Sequence, residues 1–105
     1  MDGLKIQWLA TAQEDLRAIR TYYMDNAGKR VMHNRIKKIM DSVSLLSNNT
    51  YLGKEEQKLV GRSQQYRFLV CGDYKVYYYV RENKVKIALL WDCRQNPLRL
   101  SDRLK

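Results

Sequence analysis

The sequence predicts an α+β domain, with two antiparallel helices packed on one face of a mainly antiparallel sheet in the order β-α-α-β-β-β. Two observations carry this. Between Tyr66 and Trp91, three runs alternate apolar and polar residues and are separated by the dipeptides Gly72-Asp73 and Glu82-Asn83, the pattern of a strand meander. Upstream, two stretches repeat apolar residues at helical spacing across a short break at Gly28, and helices so closely joined pack antiparallel and bury a shared stripe on the sheet. At 105 residues the chain supports one domain, residues 1–105, with a single modest core.

Leu4, Ile6 and Trp8 alternate with Lys5 and Gln7, which predicts a short first strand. Thr11 and Glu14 have the spacing of a capping box, in which each side chain accepts from the other's backbone N–H. The first helix is therefore expected over about Ala12 to Asn26, with Leu16, Ile19 and Tyr23 inward. The second is expected over about Lys29 to Ser47, on the stripe Met32, Ile36, Ile39, Val43 and Leu46, leaving Lys29, Arg30, Arg35, Lys37 and Lys38 as a solvated face. A loop follows, in which Leu59-Val60 could form a short strand. Gly72-Asp73 suits a two-residue hairpin because glycine accepts the positive φ of primed turns. In the last strand Val85, Ile87, Leu89 and Trp91 are expected on one face. The other face of the sheet then collects Lys75, Tyr77, Tyr79, Arg81, Lys84 and Lys86, offering cations for phosphates and rings for bases.

The formal charge is +9, of which residues 54–105 contribute +6 (twelve Lys/Arg against six Asp/Glu) and residues 1–53 contribute +3 (eight against five). Such a field favours polyanions or an acidic protein partner. Cys71 and Cys93 lack metal-type spacing and read as small buried thiols. The N-terminus lacks the apolar core of a signal peptide and no run is long enough to span a membrane, so a cytoplasmic location without membrane contact is expected.

The ordered set resembles the RelE/ParE superfamily of bacterial type II toxins. The matching pieces are the N-terminal strand, an A-x-x-D-L-like helix (Ala12, Asp15, Leu16) closing on Tyr22 and Tyr23, an amphipathic second helix, the strand Tyr74-Lys75-Val76-Tyr77-Tyr78, and the ending Cys93-Arg94-Gln95-Asn96-Pro97. That ending looks like a subgroup described as plasmid-stabilisation toxins.

The resemblance implies a toxin held inactive by a cognate antitoxin, without cofactor or metal, and two mechanisms on one fold. RelE-like members cleave mRNA in the ribosome; ParE-like members inhibit DNA gyrase without catalysis. By the resemblance, Arg67, Lys75 and Arg94 would be the cations at a scissile phosphate, where fixed positive charge stabilises the dianionic transition state. Lys75, Tyr77, Tyr79, Arg81 and Lys86 would contact nucleic acid. The expectation is mRNA cleavage on the ribosome, with gyrase inhibition as the alternative and a non-toxic nucleic-acid-binding module as the outside class. No tyrosine follows Tyr79, and His33, the only histidine, lies inside the second helix. A general base is thus left to Glu55, Glu56, Tyr77 or Tyr79.

Overall fold

The computed structural model describes residues 3–57, 64–95 and 99–103. The chain runs β1 (Lys5–Trp8), α1 (Ala10–Asn26), α2 (Lys29–Ser44), a 3₁₀ turn (Leu45–Ser47), β2 (Lys54–Glu55), β3 (Arg67–Cys71), β4 (Tyr74–Arg81), β5 (Lys84–Asp92) and a short α3 (Leu100–Arg103). The five strands form one sheet in the order β1-β5-β4-β3-β2. β1 lies parallel to β5, and every other neighbouring pair is antiparallel. The predicted α+β architecture and element order hold, with β2 as an addition.

Both helices cover one face of the sheet. Ala12, Ile19 and Tyr23 of α1 and Met32, Ile39 and Val43 of α2 pack with Tyr74, Val76, Tyr78, Val85, Ile87 and Leu90. Each fully buried aliphatic side chain contributes about 1.5–3 kcal/mol, whereas the exposed Lys37–Asp41 pair at 2.7 Å contributes about 0.5 kcal/mol or less. The apolar stripe, not the charges around it, fixes the helices on the sheet.

Three expectations need revision. The capping box does not form, because α1 starts one residue before Thr11 and its N-terminal flank, Leu9, makes no side-chain cap. Leu9 N–H is bound instead to the Ile87 carbonyl at 3.0 Å, so sheet pairing sets where the helix begins. α2 ends at Ser44 and tightens into the 3₁₀ turn. The short strand beyond the helices is Lys54–Glu55, while Leu59-Val60 lies outside the described residues.

The third revision matters most. Tyr77 is opposite Leu89 but Tyr78 is opposite Ile87, a bulge that leaves Ala88 unpaired. A bulge reverses the alternation downstream of it. Val85 and Ile87 therefore face the helices as expected, but Leu89 and Trp91 turn to the opposite face, where they bury with Tyr66, Tyr77, Ala88 and Leu100. The face expected to be open and cationic thus holds a second apolar cluster.

Candidate functional site

Strand alternation places Arg67 on the helix-covered side, in line with Leu69 and Cys71, whereas Phe68 and Tyr66 belong to the second cluster. Arg67 donates through Nη1 to the Gly53 carbonyl at 2.9 Å and stacks on the Tyr51 ring at 4.9 Å. Gly53 is fixed by crowding. Its amide donates to the Tyr78 hydroxyl at 2.8 Å, and a Cβ there would come within 2.7 Å of the Phe68 carbonyl oxygen and the Tyr78 ring. The Tyr78 hydroxyl in turn donates to the Thr50 carbonyl at 2.9 Å. Burial pushes this phenol up, against the opposing pull of the Gly53 amide.

Lys75 projects from the other face, opposite Val70 and Trp91, with its ammonium over the Phe68 ring at 4.4 Å. Beside it, Tyr77 is 1% exposed and donates its hydroxyl to Glu56 Oε1 at 2.8 Å. Burial first, and then this carboxylate, push the Tyr77 phenol well above its ordinary range. A sealed phenol of that kind holds its proton and contacts no solvent. Tyr79 is half-buried against Tyr66 in an edge-to-face pair at 5.5 Å. Cys71 is half-buried and Cys93 exposed, not the buried thiols expected; partial desolvation still raises the Cys93 thiol, so that sulfur is not an activated nucleophile.

Arg81, Lys84 and Lys86 gather at the opposite end of the sheet, around the β4–β5 turn, where Arg81 is opposite Lys84 and Tyr79 is opposite Lys86. Lys86 sits 3.6 Å from Glu82. The four residues keep the predicted company of cations and one ring, separated from Lys75 by the length of β4.

Arg94 lies beyond β5 in a third place. Its Nε and Nη2 grip Asp92 at 2.9 and 2.8 Å, and its backbone N–H binds the same carboxylate at 2.9 Å. These bonds hold the Asp92 carboxyl below its usual range and raise the guanidinium. The pair edges a cleft of about 330 Å³ lined also by Asp15, Ile19, Tyr22, Tyr74 and Arg103. Here a residue noted only as part of the A-x-x-D-L segment proves central. Asp15 accepts from the Leu90 N–H at 3.0 Å and from Arg103 at 2.8 Å. It caps the stretch of β5 that β1 is too short to cover, and it holds α3 against α1.

Arg67, Lys75 and Arg94 therefore occupy three separate settings, each with a partner of its own, and do not converge on one point. His33 is exposed on α2. No cluster of three or more metal-ligating side chains occurs among the described residues, and no helix among them is long and apolar enough to cross a membrane.

The fold is similar to those of solved structures. Among solved structures, a chain of the "Chromosomal ParDE TA system from P. aeruginosa" superposes with a TM-score of 0.71 at 18% identity, covering 85% of this chain and 95% of that one. A chain of "The structure of YoeB dimer from Staphylococcus aureus" gives a TM-score of 0.56 at 24% identity, covering 84% and 94%. No protein of curated function matches significantly. The family described as "ParE toxin of type II toxin-antitoxin system, parDE" matches residues 6–97, nearly the whole chain, and on that match the protein belongs to the ParE toxin family within the RelE/ParE superfamily.

Proposed function

We propose that this toxin inhibits DNA gyrase by binding, without enzymatic chemistry, and does not cleave mRNA on the ribosome. The observation that carries the reading is the dispersal of the candidate phosphate-binding cations. Arg67 is tied to Gly53 and Tyr51 on the helix side of the sheet. Lys75 stacks on Phe68 on the other side, and Arg94 is clamped by Asp92 beyond β5. Transition-state stabilisation requires donors already aimed at a common point, and these are not. One candidate general base argues the same way: Tyr77 is buried with its hydroxyl donated to Glu56, and a proton acceptor must reach the proton it removes.

The test pairs two assays on soluble toxin. Gyrase supercoiling is expected to be lost, while primer extension on a message in a translating extract shows no new cuts. Codon-phased cuts with intact supercoiling would overturn the proposal in favour of ribosome-dependent cleavage. Loss of neither activity, with salt-dependent binding to naked nucleic acid, would leave the non-toxic binding module. As a type II toxin the chain pairs with an antitoxin, so growth arrest on induction should be relieved by the co-encoded antitoxin gene.

A further inference from the structure

We propose that the end of the sheet around the β4–β5 turn is a phosphate-binding corner for duplex DNA, which it grips by the backbone without regard to sequence. The inference goes beyond the gyrase reading and stands or falls without it.

Register builds the corner. Lys5 of β1 is opposite Lys84 of β5, and Lys84 is opposite Arg81 of β4. Three cations thus stand side by side on adjacent strands, about 10 Å from first to last. Ile6 and Val85 pack against the helices, so alternation turns Lys5 and Lys84 to the other face, with Lys86 two residues along. Tyr79 belongs to the cluster on that face, and Arg81, two residues on, shares its side. Lys5, Arg81 and Lys84 are exposed, and none of the three makes an ion pair among the described residues. Lys86 has one, with Glu82 at 3.6 Å. Like charges directly opposite each other destabilise a sheet, yet this fold sets three in a row. A bound polyanion turns that repulsion into attraction.

The surroundings of the cations select the ligand. None of the large apolar side chains exposed among the described residues lies on β1, β4 or β5. A protein interface centres on apolar and aromatic residues, whereas a DNA interface is polar and strongly positive. The nearby rings argue against a single strand. Tyr77 is 1% exposed, and Tyr79 is half-buried in its edge-to-face pair with Tyr66. Single strands bind where bases stack on open rings, and neither of these is open. Phosphates remain as the partner. A duplex presents one for about every 1.7 Å of its axis, and contacts to them position a protein without reading sequence. Glu82 tempers the corner, since its carboxylate occupies Lys86 and repels an incoming phosphate.

Fluorescence anisotropy of soluble toxin with a labelled duplex of arbitrary sequence, titrated with salt, tests the proposal. Four phosphate contacts predict a slope of log K against log salt of about −3 to −4, with a Kd of roughly 1–100 µM near physiological salt. Lys84→Gln and Arg81→Gln should each make the slope shallower by about one and weaken binding roughly threefold to tenfold. Glu82→Gln should tighten binding roughly twofold or more, by freeing Lys86 and removing the opposing charge. Lys38→Gln, the same change of charge on the exposed face of α2, should leave the slope as it is. Lys84→Gln should also melt at a higher temperature, because the opposed charges are relieved, which shows that the variant folds. An equal loss of binding in Lys38→Gln would overturn the proposal, since the overall charge of +9 would then suffice. So would the absence of duplex binding at low salt. Tighter binding to an oligothymidine strand of equal length, or to polyglutamate of equal charge, would overturn it too, in favour of stacking or of a protein ligand.

Discussion

Replacing Tyr77 with phenylalanine removes a buried hydroxyl and leaves the half-buried Glu56 carboxylate without its 2.8 Å partner. Water can reach Glu56, so the cost should be about 0.5–1.5 kcal/mol, that of an ordinary hydrogen bond, measured as a lower denaturation midpoint. The same pair has a signature in base. The Tyr77 phenol is raised above its ordinary 10.0, so the folded protein keeps a proton that the unfolded chain releases near pH 10. Its stabilisation is complete below that pH and fades as pH rises toward the higher folded value. Stability should therefore fall above about pH 10, less steeply in Tyr77→Phe; Tyr74 and Tyr78, also raised, keep some slope. Asp15→Ala is the second residue-scale test. It orphans the Leu90 N–H and releases Arg103, and should cost about 1–3 kcal/mol and raise proteolysis within α3. A partly buried carboxylate bonded to backbone outweighs the Arg94–Asp92 pair, whose guanidinium is exposed and screened by solvent.

At the scale of elements, the β4–β5 turn carries a correctable defect. Glu82 and Asn83 both adopt positive φ, 56° and 58°, the backbone of a type I′ turn. Asparagine tolerates that region; glutamate does not. Glu82→Gly should stabilise the protein by about 0.5–1 kcal/mol, a rise of roughly 2–8 °C in Tm. The Lys86 contact it loses is long, and Glu82 is largely exposed, so little offsets the gain. The same strands show which parts of the fold were legible. The helix stripe from Met32 to Leu46 and the strand runs follow from local periodicity, and packing respected both. The bulge at Ala88 has no local signal, because both registers of Val85 to Trp91 offer an apolar residue at every inward position. Only the second cluster, with Tyr66 and Leu100 brought from elsewhere in the chain, decides between them. The cap at Thr11 failed likewise to a long-range bond, from Leu9 to Ile87. The candidate site residues were readable as types, cations and tyrosines on strands; their dispersal was not, since it depends on faces, ends and partners that no spacing encodes.

Across the whole molecule, the charge of +9 makes stability depend on salt. Self-repulsion in the folded state is screened as ionic strength rises from about 0.01 M to 0.1 M and the Debye length falls from about 30 Å to about 10 Å. The free toxin should melt at higher temperature in the higher salt, while antitoxin association measured by stopped flow becomes slower. A complex whose association rate ignored salt would show that the field plays no part in encounter.

The parallel pairing of β1 with β5 also imposes an order on biosynthesis. Lys5 is opposite Lys84, about eighty positions later, and closing a loop of that length costs roughly 4 kcal/mol of chain entropy. Nothing repays it until β5 exists. At about 5–20 residues per second of synthesis, the N-terminal strand waits several seconds or more for its neighbour. Until then the nascent chain has helices but no closed sheet, and any surface that depends on the closed sheet is assembled only once β5 has been made.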